Sequence, residues 1–143
     1  MNRGEWVLAT LAASEGAEHT PVQVQKLFFL LDDKLGGSTG GPRFHFAPFD
    51  YGPFDCDVYK ELEQLESLGL VSITRSPKTG WRTYRTSTAG LEKGHQLLDT
   101  LDGNVVAYIR RLSEWVRSLS FAELVSTIYA HYPIMKTNSV FQR

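Results

Sequence analysis

The side chains best suited to chemistry cluster between residues 45 and 57: His45, Asp50, Asp55, Cys56 and Asp57. Imidazole, thiolate and carboxylate are the ligands of zinc, and a thiol at a helix N-terminus is a recurrent nucleophile. The local pattern argues against both uses. His45 stands between phenylalanines in an alternating stretch. Asp55, Cys56 and Asp57 open a helix, where carboxylates are already favoured by the macrodipole. Flanked by two aspartates, Cys56 is expected to keep its proton and to act as a small buried hydrophobe. His19, His45, His95 and His131 are scattered, with none at the i, i+4 spacing of a helical metal pair. Asp32 and Asp33, adjacent on a helix, point about 100° apart and are not placed to share a proton. The glycine run at 36–42 reads as a flexible loop, because no Gly-Lys-Ser/Thr follows to complete a phosphate cradle. The chain is therefore read as a non-enzyme, without catalytic residue, metal or cofactor.

The remaining chemistry is electrostatic. A formal net charge of −1 gives no global field to recruit nucleic acid or acidic lipid, so any such binding must be local. Residues 55–68 carry Asp55, Asp57, Glu61, Glu63 and Glu66 against Lys60 alone. From Ser67 to Leu91 there is no acidic residue, and Arg75, Lys78, Arg82 and Arg85 stand among Trp81 and Tyr84. Strand alternation puts Trp81, Thr83 and Arg85 on one face and Arg82 and Tyr84 on the other. Three uses fit such a segment: a solvated surface offsetting the acidic helix, a nucleic-acid contact, or a surface for an acidic protein.

These side chains need positioning elements, and the periodicities supply them. Trp6, Leu8, Ala9, Ala12 and Ala13 give a loose apolar stripe over a helix at 5–14. Thr20-Pro21 is a start signal for a helix at 21–35, apolar almost all round and hence central. Residues 43–47 alternate as a short strand, and 48–54 form an aromatic turn segment. A helix over about 55–68 buries Val58, Tyr59, Leu62, Leu65 and Leu68, and Gly69 caps it. Strands at 70–74 and 81–85 flank the turn residues 76–80. Ser87 or Thr88 caps a helix that turns Leu91, Leu98 and Leu101 inward. Val105, Ile109, Leu112, Val116 and Leu119 mark a helix from Asn104 to Ser118. Ser120 to Glu123 is a capping box for a last helix carrying Leu124, Val125, Ile128, Tyr129 and Tyr132 and stopped by Pro133. In the tail 134–143, Ile134, Met135, Val140 and Phe141 are exposed unless docked. Tyr108, Trp115, Tyr129 and Tyr132 are read as core or interface.

The 143 residues fit one domain: a core over about 5–101, a helical extension over about 104–133 and the tail. A single cysteine excludes an internal disulfide. The N-terminus lacks a signal-peptide apolar region, and no run approaches a membrane span, so a cytoplasmic protein is expected. The order of turn, amphipathic helix, hairpin and helix over 51–94 is that of a winged helix-turn-helix. The fold class is thus mainly α with a small β-hairpin, a winged-helix-like core and two C-terminal helices. Those two helices either pack on the core or form a homodimer seam.

Several motifs also resemble the SocA-like, or Panacea, domains and the related YwgA-like bacterial proteins. They are Lys26-Leu27-Phe28-Phe29-Leu30, Phe49-Asp50-Tyr51-Gly52-Pro53-Phe54, Val58-Tyr59 with Leu62 and Leu65, Leu68-Gly69-Leu70, Thr88-Ala89-Gly90, and the segment from Tyr129 to Pro133. The resemblance implies a prokaryotic, non-catalytic module of antitoxin or adaptor type that binds protein, such as a toxin or a protease-system component. The expected partner-binding residues are Phe49, Tyr51 and Phe54 in the turn and Arg75, Lys78, Trp81, Arg82 and Arg85 in the hairpin. The alternative is a winged-helix transcription regulator that binds DNA through that hairpin. The acidic helix disfavours it, because five carboxylates repel a phosphate backbone.

Overall fold

A computed structural model describes residues 1–141. The last two residues of the tail expected at 134–143 lie outside that range. Among the described residues there are six α-helices and two separate antiparallel hairpins. The helices are α1 (Arg3–Ala12), α2 (Pro21–Leu35), α3 (Cys56–Ser67), α4 (Thr88–Leu98), α5 (Gly103–Ser118) and α6 (Phe121–His131). The strands are β1 (Ala47–Phe49) paired with β2 (Gly52–Phe54), and β3 (Val71–Arg75) paired with β4 (Arg82–Thr86).

Helix α1 starts two residues earlier than its apolar stripe suggests. Asn2 and Glu5 close a capping box that satisfies the first backbone N–H groups. Thr20 and Gln23 do the same for α2, with Pro21 at the first helical position, and Ser120 and Glu123 for α6. α1 and α2 are the inner helices: Trp6 to Ala12 and Val24 to Leu31 are buried without interruption. α4 packs on α1, and α5 and α6 pack on α2, so the C-terminal helices complete the core. Ile109, Ser113 and Val116 of α5 and Leu124, Val125 and Ile128 of α6 are buried there.

The β3–β4 hairpin has the expected alternation, with Val71, Ile73, Tyr84 and Thr86 turned inward. His19 adds an isolated bridge to Tyr84 through two backbone hydrogen bonds of 2.9 and 2.8 Å. The fully buried imidazole of His19 accepts or donates at 3.0 Å to Ser113 Oγ, which meets Ser14 Oγ. Burial first, then the Arg117 charge, lowers its pKa to about 4, so it is neutral at pH 7.

Four expectations need correction. The strand expected at 43–47 forms instead at Ala47–Phe49, because Asp32 holds the amides of Arg43 and Phe44 at 3.0 and 2.9 Å as a capped loop. The aromatic turn at 48–54 is consequently the second hairpin. Leu68 is 61% exposed, since α3 ends at Ser67 and the Gly69 turn swings that side chain outward. Cys56 is exposed rather than a core hydrophobe, because the first residue of α3 faces solvent. The tail is docked in part: a 3-10 turn at Pro133–Lys136 leads to Phe141, whose ring meets Phe121 and Tyr129. Ile134 and Val140 stay exposed.

Gly90 explains the Thr88-Ala89-Gly90 motif. A Cβ there would lie 1.7 Å from the carbonyl oxygen of Leu70, so only glycine lets α4 approach the entry to β3. Gly90→Ala should lower the unfolding free energy by about 3 kcal/mol, the upper range for overpacking, read as a lower urea midpoint at unchanged m-value.

Candidate functional site

The expected partner-binding residues fall into two groups around Tyr59 of α3. Phe49 and Phe54 stack across the β1–β2 hairpin with ring centroids 5.0 Å apart. Phe54 meets Tyr59 edge-on at 5.7 Å, and Tyr59 lies parallel to Tyr84 of β4 at 6.2 Å. An aromatic row thus joins the two hairpins. Tyr51, in the β1–β2 turn, packs edge-on against Phe121 of α6 at 5.2 Å. Phe49 remains 51% exposed and Tyr51 43%, and Trp81, just before β4, is 74% exposed.

The basic residues occupy a different situation from an open cationic surface. Arg82 pairs with Glu63 at 3.4 Å and Arg75 with Glu66 at 3.5 Å, joining the hairpin to the acidic helix it follows. Arg85 pairs with Glu18 at 3.7 Å. On the far side of α3, Arg3 reaches Asp57 and Glu61, and Lys60 reaches Asp57. Lys78, at the hairpin tip, has no ion pair among the described residues. The hairpin and the helix are therefore mutually neutralising neighbours. These exposed pairs each contribute about 0–1 kcal/mol and serve mainly to cancel local fields.

The β1–β2 hairpin is held from beneath by α2. Gln25, almost fully buried, clamps the start of α3 in both directions: its Nε2 donates to the Asp55 carbonyl and its Oε1 accepts from the Asp55 amide, both at 3.0 Å. Lys26, 3% exposed, donates from Nζ to the Pro53 carbonyl at 3.2 Å. From above, Ser139 Oγ and the Val140 amide both donate to the Asp50 carbonyl at 3.1 Å. Gly52 has φ +103°, the left-handed position after the turn, and a Cβ there would crowd the Tyr129 ring at 3.2 Å. A cavity of about 150 Å³ opens between α2, this hairpin and Tyr59, lined by Val22, Lys26, Phe49, Tyr51, Phe54 and their neighbours.

The sequence places Gln25 in an apolar central helix and Lys26 at the head of the Lys26-Leu27-Phe28-Phe29-Leu30 motif, and marks neither as a site residue. The available signal was two long polar side chains in the middle of a run otherwise buried. A second, shallower groove of about 460 Å³ runs between α1, α3 and Leu70, past the exposed Leu68. Asp55, Cys56 and Asp57 bring three potential metal-ligand atoms within 4.8 Å of one another. Two of them are already engaged: Asp55 accepts from the His45 and Asp57 amides, and Asp57 is paired with Arg3 and Lys60. Asp32 and Asp33 act separately, Asp32 on backbone amides and Asp33 on the Tyr132 hydroxyl.

Burial lowers the Lys26 pKa from 10.5 to about 7. The folded value lies below the unfolded one, so between the two the unfolded chain holds a proton that the folded chain has released. Stability should therefore rise as pH climbs from 7 toward 10, by about 4 kcal/mol at most. Lys26→Met should be more stable than wild type at pH 7 and should lose most of this slope. Urea unfolding at pH 7, 8.5 and 10 reads both; a destabilised Lys26→Met protein with an unchanged slope would mean that the ammonium is not buried.

Comparison with known proteins gives one similarity. Over 88 residues the chain is 35% identical to the uncharacterized protein YwgA of Bacillus subtilis (strain 168), covering 59% of this chain and 48% of that protein. The chain thus spans about half the length of the curated relative it matches. No family model matches the chain, and no solved structure does. Among the described residues, no helix is long and apolar enough to cross a membrane.

Proposed function

We propose that this chain is a non-catalytic prokaryotic interaction module of regulatory or antitoxin type, acting in the cytoplasm on a protein partner. The observation that carries the reading is the β1–β2 hairpin: an exposed aromatic pair, Phe49 and Tyr51, on a backbone fastened from both sides. Large aromatic side chains that remain in water on a rigid support are the usual anchors of protein interfaces. The motif resemblance to SocA-like domains supports the same class. The contribution of Arg75, Arg82 and Arg85 is secondary in this reading, because each already has a carboxylate partner. Trp81 and Lys78 extend the surface at the tip of the second hairpin.

A DNA-binding regulator is the second reading, and one observation favours it. The His19 bridge to Tyr84 gives the order helix, short strand, helix, helix, hairpin, which is winged-helix-like. Against it, the 20 residues between α2 and α3 contain a hairpin rather than a tight turn, and the wing arginines Arg75 and Arg82 are already paired with carboxylates of α3.

Affinity capture from nuclease-treated bacterial lysate tests the first reading, with the wild type beside a Phe49→Ala, Tyr51→Ala double variant. A stoichiometric protein retained by the wild type and reduced at least tenfold by the variant is the expected result. A salt titration with duplex DNA tests the second. If affinity falls by several log units per log unit of salt, and Arg82→Ala reduces that slope by about one, the regulator reading replaces the first.

A further inference from the structure

Lys26 is a buried lysine without a counter-ion among the described residues. Its Nζ makes one hydrogen bond, to a neutral carbonyl, and no ion pair among the described residues. An ammonium has three N–H donors, so its bonding capacity is left largely unused in an apolar setting. The titratable groups on the surrounding elements do not fill it. Asp50 and Tyr51 lie in the hairpin turn, Tyr59 on α3 and Tyr129 on α6. The Asp55 carboxylate is turned onto the His45 and Asp57 amides. Among the described residues no carboxylate acts on Lys26, and burial moves its titration.

The same lysine lines the cavity under the aromatic hairpin. Its walls there are mainly Val22, Phe49, Phe54 and Tyr59; Asp50 also lines the cavity, but Lys26 feels burial and not that carboxylate, so its amine faces a largely apolar space. At about 150 Å³ it has room for a single small residue rather than a strand or helix. A buried charge that lacks a partner is costly, and a ligand that brings the opposite charge recovers that cost on binding.

We propose that this cavity is a carboxylate pocket, which takes the C-terminal residue of a partner polypeptide, its free carboxylate on Lys26 Nζ and its apolar side chain against Phe49 and Phe54. A chain end suits the space because it brings carboxylate and side chain together in one residue, whereas an internal Asp or Glu must lead the chain in and out again. This assignment rests on the protein-partner reading and specifies what that partner presents. Binding requires the charged lysine, so it is linked to proton uptake.

Three capped peptides test it on the full chain: acetyl-Gly-Gly-Leu with a free C-terminus, the same peptide as its C-terminal amide, and acetyl-Gly-Glu-Gly amide. Backbone amide shifts of Gly52 and Asp55 report binding. The free acid should bind at least tenfold more tightly than either amide. Its affinity should fall about tenfold per pH unit between pH 8 and 9, as the lysine of the free protein loses its proton. Lys26→Met, checked for folding by circular dichroism, should abolish the preference for the acid. Equal binding of acid and amide, preference for the internal glutamate, no binding of the acid at millimolar concentration, or an acid preference that survives in Lys26→Met would each overturn the proposal. The wider reading stands apart: a captured protein lost in the Phe49→Ala, Tyr51→Ala variant but kept by Lys26→Met would retain the aromatic surface and remove the pocket.

Discussion

Backbone outside helices and sheets must still find hydrogen-bond partners, and here one helix supplies them for an entire irregular segment. Between the end of α2 and the start of α3 the chain runs through a glycine-rich loop and a hairpin of two three-residue strands. Three side chains of α2 hold its length: Asp32 at residues 43 and 44, Lys26 at Pro53 and Gln25 at Asp55. All three projections come from a helix whose other residues form the core. The aromatic hairpin is therefore tied to the most buried part of the molecule rather than suspended from a loop. The proposed binding surface draws on that support, because an already ordered surface loses less entropy on association.

The charges tell a complementary story. Residues 55–68 and 75–85 are opposite in sign, and the sequence allows three uses for them, mutual neutralisation first among them. In the fold they are partners for each other. Glu63 and Glu66 meet Arg82 and Arg75, so neither an acidic face nor a basic wing is left with a strong field. Such exposed pairs do little for stability. They cancel local charge on this side of the molecule, so in the proposed reading apolar shape and the buried Lys26 set what can bind.

Most helices were legible because their signals are local. Capping boxes at Thr20 and Ser120, the 3.6-residue stripe of α5, and the glycine after α3 all act within a few residues. The β3–β4 hairpin was legible for the same reason, apart from a one-residue shift in its strands. What escaped were contacts between distant residues. The alternation of 43–47 looks like a strand, yet Asp32, eleven residues upstream, claims its first amides. Cys56 was assigned to the core by residue type, and its place at the first turn of α3 decides otherwise. Tail residues were left open, and docking of Val140 and Phe141 on the hairpin and α6 depends on a fold no local pattern encodes. The proposed site residues divide in the same way: Phe49, Tyr51 and Trp81 stand out in the sequence as aromatics of a turn and a hairpin, while Lys26, there the first residue of an apolar motif, draws attention once the hairpin is seen lying over it.

Native-state hydrogen exchange at the amides of Phe44 and Asp55 probes the dependence on α2 most directly, because each donates to an α2 side chain rather than to regular secondary structure. Both should exchange as slowly as amides in the middle of α2, and Gln25→Leu should release Asp55 while leaving Phe44 protected. Rapid exchange of both amides in the wild-type protein would mean that the hairpin is a loosely attached loop, and the surface built on it would have no fixed shape to offer a partner.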